Sequence, residues 1–264
     1  MKKFIVSKFE LYSEKLCDAW KNTRIVMLSD FHDNSYGLDM KGLLETIINL
    51  APDYIMIAGD IYNGDAKCAN KNAESLMRSL AAAFPVYYGL GNHEYRMMIH
   101  PDTYPGQFGQ FEKMIEETGV TLLKNETVKI KKGTSVMAVH GLMIDASYYM
   151  KFKRKAMPCD YMEQLLGTTD DGAFHVLLAH HPSYFPQYAA WGADLVFSGH
   201  VHGGMARVPL IGGVIAPNYR LFPKYDRGRF ELGGSTMILS AGIGTHTINL
   251  RPFNPAEIVA VDLR

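Results

Sequence analysis

Short, nearly uninterrupted runs of aliphatic and β-branched residues recur along this chain and constrain its fold more than any other feature. They are RIVML (24–28), YIMIA (54–58), VYYGL (86–90), SVMAV (135–139), HVLLA (175–179), DLVFS (194–198), TMILS (236–240) and EIVAVDL (257–263). A strand covered on both faces needs apolar side chains at consecutive positions, so these runs predict buried strands. Amphipathic segments predict helices between them at 38–50, 70–84 and 108–119, the last ending on Gly119 as a stop. Alternation of strands with helices defines an α/β fold. No internal repeat, low-complexity tract or Pro/Gly/Ser linker divides the 264 residues, so a single domain over 1–264 is expected. The Pro- and Gly-rich stretch 203–234 reads as an extended loop region or hairpin.

The residues just beyond each run carry the chemistry. RIVML leads into SDFHD, YIMIA into GD, VYYGL into GNHE, HVLLA into HHP and DLVFS into SGHVHGG. Ligands of α/β folds sit beyond the carboxyl ends of strands, so these Asp, Asn and His residues are expected to converge on one edge. Asp30, His32, Asp60, Asn92, His180, His200 and His202 make seven candidate metal ligands. Seven exceed the needs of one four-coordinate ion and suit two ions that share a ligand. Nitrogen and oxygen donors without thiolate suit Mn, Fe, Zn or Ni. Gly59, Gly91 and Gly199 are expected to let the backbone turn and approach closely there.

In order along residues 24–204, the blocks D30-F-H32, G59-D60, G91-N92-H93-E94, H180-H181-P182 and G199-H200-V201-H202 resemble the calcineurin-like metallophosphoesterases. The tail GIGTHTINLRPFNPAEIVAVDL is similar to that of a bacterial subgroup of single-domain phosphodiesterases. The resemblance implies a four-layer α/β/β/α sandwich of two mixed sheets flanked by helices. It also implies that Asp30, His32 and His202 hold one ion, Asn92, His180 and His200 the other, and that Asp60 bridges. His180 is preferred to His181 because the family places its ligand two residues before the proline. His93 would face the substrate as the catalytic residue, stabilising phosphoryl oxygens or protonating the leaving oxygen. The implied reaction is hydrolysis of a phosphoester, a phosphodiester first, by a metal-bridging hydroxide. A phosphomonoesterase or nucleotide pyrophosphatase of the same fold is the alternative, ahead of an inactive scaffold. The substrate would be a small-molecule or lipid-linked phosphoester.

Bulk properties narrow the partners. Lys plus Arg and Asp plus Glu balance at 27 each, which leaves no global basic field for nucleic acid. The amino-terminal MKKFIVSKFE has its apolar stretch broken by Ser7, Lys8 and Glu10, so it is read as mature protein rather than a signal peptide. No window reaches the ~18 apolar residues of a membrane span. Three scattered cysteines exclude a disulfide framework, and a reducing cytoplasm is expected. His140, His175 and His246 are read as hydrogen-bonded core histidines, and His181 as support for the ligands. The basic run KFKRK (151–155) reads as a solvated face, and Arg220 and Lys224 as candidate substrate contacts.

Overall fold

The apolar runs do form covered strands, in two sheets that pack face to face. The computed structural model describes residues 4–34, 40–150, 155–169, 171–204, 207–208, 212–213, 223–244 and 253–264. In chain order its elements are β1 (Phe4–Leu11), β2 (Arg24–Leu28), α1 (Met40–Leu50), β3 (Tyr54–Ala58), α2 (Lys71–Ala81), β4 (Val86–Gly89), α3 (Asn92–Ile99), α4 (Gln107–Thr118), β5 (Thr121–Leu123), β6 (Glu126–Lys132) and β7 (Ser135–Leu142). Then come α5 (Tyr161–Leu166), β8 (Phe174–Ala179), α6 (Phe185–Trp191), β9 (Leu195–Ser198), β10 (Arg207–Val208), β11 (Gly212–Gly213), β12 (Gly228–Leu232), β13 (Ser235–Leu239) and β14 (Ala256–Leu263).

The first sheet has the order β1-β14-β2-β3-β4-β5 and the second β12-β13-β9-β8-β7-β6. Each is mixed: β14 runs antiparallel to β2, while β2, β3 and β4 are parallel. In the second sheet β7, β8 and β9 are parallel and β6 and β12 are antiparallel edges. Alternate residues of each strand fill different layers, as the period of two requires. Ile25, Met27, Met56, Val139, Val176, Leu178 and Phe197 fill the space between the sheets. Val26, Leu28, Ile55 and Ile57 point the other way, onto Leu43, Ile47, Leu76, Met77 and Phe111 of α1, α2 and α4. Leu177, Ala179 and Val196 likewise pack outward on Met162, Phe185, Tyr188 and Trp191 of α5 and α6. These layers make the α/β/β/α sandwich. Each fully buried aliphatic side chain contributes about 1.5–3 kcal/mol of transfer free energy.

Several elements depart from the reading of the sequence. The broken apolar stretch at the amino terminus is β1, an edge strand parallel to β14 whose polar residues stay accessible. Strand β6 (ETVKIKK) is hidden for the same reason, since its alternate side chains are exposed. Within 203–234 the described residues include the small β10–β11 pair and β12, which forms a hairpin with β13. Arg220, His246 and residues 151–154 of the basic run lie outside the described residues. Lys224 sits 5.0 Å over the Tyr225 ring. No helix among the described residues is long and apolar enough to cross a membrane.

Candidate metal centre

The parallel strands β2, β3 and β4 end at one edge of their sheet, and β8 and β9 end beside them in the other. Backbone hydrogen bonds tie together the segments beyond these strand ends. Asp30 N and His32 N donate to the carbonyls of Gly59 and Asp60 at 3.1 and 3.0 Å, joining the β2 and β3 loops. The amide of His200 crosses between sheets to the Asp30 carboxylate at 2.9 Å, and Gly199 N donates to His180 O at 3.1 Å. Asp30, His32, Asp60, His200 and His202 all hold left-handed backbone, with φ of 53°, 52°, 57°, 73° and 51°. That conformation costs a non-glycine residue about 1–2 kcal/mol, and such strain gathers at functional sites.

The side chains so held converge. His32 Nε2 and His202 Nε2 lie 3.0 Å apart. His202 Nε2 is 3.4 Å from Asp30 Oδ1, and His180 Nε2 is 3.1 Å from Asp60 Oδ2 without the alignment of a hydrogen bond. Three groups of donors lie close enough to share an ion: Asp30, His32 and His202; Asp60, His180 and His200; and His32, Asp60 and His93. Asn92 begins α3 beside His93, and its Oδ1 is buried with no hydrogen-bond partner. Asp60 divides its oxygens. Oδ1 accepts the His93 amide at 2.8 Å, whereas Oδ2 faces His180 at 3.1 Å and His32 at 3.9 Å.

Two glycines serve the carboxylates themselves. A Cβ on Gly91 would lie 2.1 Å from Asp60 Oδ1, and one on Gly199 would lie 2.3 Å from Asp30 Oδ2. Their expected part in close approach thus falls on the aspartates.

Electrostatics show what the cluster wants. Burial opposes a charge on His180, but Asp60 and then Asp30 outweigh it and raise the ring to about 10. Burial pushes Asp30 up to about 6, reinforced by Asp60 and opposed by His180. Burial also works against charge on Asp60, yet the charge of His180 holds its carboxyl well below the usual range. A site that retains a proton so strongly is one that favours a cation.

Some supporting residues were not singled out from the sequence. Glu94, buried completely, accepts Asp60 N at 2.9 Å, Gly91 N at 3.0 Å, Tyr62 N at 3.0 Å and the Tyr88 hydroxyl at 2.7 Å. Burial, then the Asp60 charge, push its carboxyl up to about 7 while these donors pull the other way. Its place three residues after Gly91, as the acid closing a helix start, is the signal that could have found it. Ser29 Oγ donates to Asp30 at 2.6 Å, and Asn254 Nδ2 donates to the carbonyl of His202 at 2.5 Å. The Tyr149 ring lies 5.2 and 5.4 Å from those of His181 and His200. His140 and His175 lie away from these groups, buried and joined ring to ring at 2.9 Å.

This arrangement defines a class: a protein with a candidate metal centre built where two sheets end. Residues 23–204 match the family model of the calcineurin-like phosphoesterases, and the chain belongs to that family, hydrolases that act on phosphoric esters. It is 26% identical over 250 residues to the uncharacterized metallophosphoesterase YkuE of Bacillus subtilis, covering 91% of this chain and 79% of the relative. A metallophosphoesterase of Aquifex aeolicus is 30% identical over 217 residues, 81% of this chain and 73% of its own. Phosphodiesterase YaeI of Escherichia coli is 23% identical over 253 residues, 92% and 86% of the two chains. Among solved structures, the phosphopantetheinyl hydrolase PptH of Mycobacterium tuberculosis shares the fold with a TM-score of 0.52 at 12% identity, over 86% of this chain and 91% of that one.

Proposed function

We propose that Asp30, His32 and His202 hold one divalent transition-metal ion, that Asn92, His180 and His200 hold a second, and that Asp60 is shared. The pairing of two donor groups about one carboxylate carries this reading: Asp60 Oδ2 lies 3.1 Å from His180 of one group and 3.9 Å from His32 of the other. Oδ2 is the oxygen that faces both groups, while Oδ1 accepts the His93 amide at 2.8 Å. The ring states agree. His180 Nδ1 lies 2.6 Å from the Ala58 carbonyl, which can only accept, so a neutral His180 presents its Nε2 lone pair inward. The buried, unpartnered Asn92 Oδ1 is the donor such an ion would engage. Imidazole, amide and carboxylate donors without thiolate suit Mn, Fe, Zn or Ni.

Bound ions of this kind supply an activated water and neutralise charge on the phosphoryl oxygens. The protein's part is to fix donors, with strained backbone and second contacts set before substrate arrives. We take the substrate to be a phosphodiester, in keeping with the name of the related YaeI. Elemental analysis paired with hydrolysis of an aryl diester and an aryl monoester, with and without chelator, tests the reading. Two ions per chain, chelator-sensitive turnover and faster diester hydrolysis are expected. An Asp60→Asn protein that keeps full metal and activity refutes it.

A further inference from the structure

His93 and His180 both turn Nε2 toward the same acidic cluster, yet opposite partners sit behind their rings. The Nδ1 of His180 faces a carbonyl, whereas the Nδ1 of His93 accepts the buried backbone amide of Gly64 at 2.8 Å. An acceptor nitrogen carries no hydrogen, so the ring hydrogen of His93 resides on Nε2. That Nε2 lies 3.9 Å from Asp60 Oδ2. A nitrogen that bears hydrogen cannot bind a metal, which removes His93 from the ligands despite its proximity to His32 and Asp60. Nor can such a ring give its hydrogen away. With none on Nδ1, loss of the Nε2 hydrogen would leave an imidazolate.

Gly64 is held in place to do this. Arg96, three residues beyond His93 on α3, donates from Nη2 to the Gly64 carbonyl at 2.9 Å, so one helix grips both backbone groups of a single residue. Gln107 Nε2 donates to the next carbonyls of the same loop, Asp65 at 3.2 Å and Ala66 at 3.1 Å. Arg96 is paired with no carboxylate among the described residues, and the contact with Gly64 is its side chain's one hydrogen bond there.

We infer that His93 is a fixed hydrogen-bond donor through Nε2 rather than a proton donor, and that Gly64 and Arg96 are the positioning residues that keep it so. Its substrate rests on the phosphoesterase reading above; its tautomer does not. In the reaction a water oxygen bonds to phosphorus and gives up a proton, the bond between phosphorus and the leaving oxygen breaks, the electron pair departs with that oxygen, and the leaving oxygen takes its proton from water. His93 holds a phosphoryl oxygen throughout and ends with the hydrogen it began with.

Two measurements test this. Long-range ¹H–¹⁵N spectra of the metal-free and zinc-loaded protein report each histidine's tautomer, with His93 identified by its loss in His93→Gln. An unprotonated Nδ1 on His93 is expected, giving way to mixed tautomers in Arg96→Gln. A protonated Nδ1 in the wild type overturns the inference. On zinc-loaded protein and a series of aryl phosphodiesters, His93→Ala should lose about 100-fold in kcat, as for removal of one positioned donor. His93→Gln, which still offers an N–H, should recover roughly tenfold of that, and the loss should be the same for every leaving group. Equal loss in both variants, growing as the leaving group becomes more basic, marks a general acid and refutes the inference. Arg96→Gln should lower kcat by about tenfold, the scale of a supporting contact, with KM and metal content unchanged and with rescue by Arg96→Lys. Metal loss in Arg96→Gln would reduce Arg96 to a structural part and overturn its role. A wild type inactive on every phosphoester would sink the proposed function and leave the tautomer to be decided by the spectra.

Discussion

Glu94→Gln keeps the shape of a side chain but removes half of its accepting capacity. The carboxylate takes two donors on each oxygen: the amides of Asp60 and Gly91 on Oε2, the amide of Tyr62 and the hydroxyl of Tyr88 on Oε1. A glutamine must turn its NH₂ toward one pair. The milder choice faces Tyr62 and Tyr88, because the tyrosine can rotate its hydroxyl to accept, which leaves one buried amide without a partner. An orphaned donor costs about 1–3 kcal/mol, and the weaker bonds of a neutral amide are offset by relief of the burial and Asp60 repulsion that raise the carboxyl to about 7. The variant should therefore lose about 1–3 kcal/mol of stability at pH 8. The same bonds fix the turns that carry Asp60 and Asn92, so metal affinity should fall by about 10–100-fold. Urea unfolding and metal titration of the purified variant read the two effects. Wild-type stability with unchanged metal affinity would refute the view that Glu94 braces these loops.

Burial, with the neighbouring His175 charge, lowers His140 to about 3 from its ordinary 6.5. The unfolded chain then takes up a proton that the folded one refuses, so this contribution is complete above pH 6.5 and is lost as pH falls toward 3. The unfolding free energy from urea titration should drop by up to about 1.4 kcal/mol per pH unit in that window, and His140→Gln should flatten the slope; an unchanged slope argues against it. Gly91→Ala meets ordinary backbone (φ −92°) but places its methyl 2.1 Å from Asp60 Oδ1, so metal content and activity should fall together. A fully loaded alanine variant would contradict that packing. Ala51, exposed at the end of α1 with φ of 49°, gains from glycine: Ala51→Gly should raise stability by about 0.5 kcal/mol, the left-handed penalty less the added chain entropy, with activity unchanged. A destabilised Ala51→Gly protein would count against the strain.

The sequence made the buried strands and the donors plain for one physical reason. A strand covered on both faces must be apolar throughout, so the polar residue that ends it stands out, as Asp30 does after RIVML and His180 after HVLLA. Edge strands lack that contrast: β1 and β6 mix lysines with apolar residues because one side meets water. Helix α3 was obscured because its first turn is the motif itself, Asn92, His93 and Glu94. The contacts that brace the donors were illegible for a different reason, even where a helix-start acid such as Glu94 marked the residue itself. Glu94 and Gly64 act through backbone amides, and nothing in residue identity says which amide will face which acceptor. Even the pairing of His140 with His175 arises from the register of β7 on β8, which places Ala138 beside His175 and His140 two residues further along, opposite Leu177.

The same distinction explains why five donors occupy left-handed backbone. At Ala51 the strain is removable, since the methyl group does nothing that glycine would lose. At Asp30, His32, Asp60, His200 and His202 the side chain is the point, so the conformation has to be imposed by its surroundings. The bonds that impose it are visible: Gly244 N donates to Asp30 O at 2.8 Å, Asp30 N to Gly59 O at 3.1 Å, and His32 N to Asp60 O at 3.0 Å. Each joins two segments distant in the chain, so the strain is sustained by the stability of both sheets together and not by any local preference. A donor set built this way pays its ordering cost on folding. On the proposed reading, what remains for the encounter with a cation is the exchange of a proton at His180 and the engagement of the buried Asn92 amide oxygen.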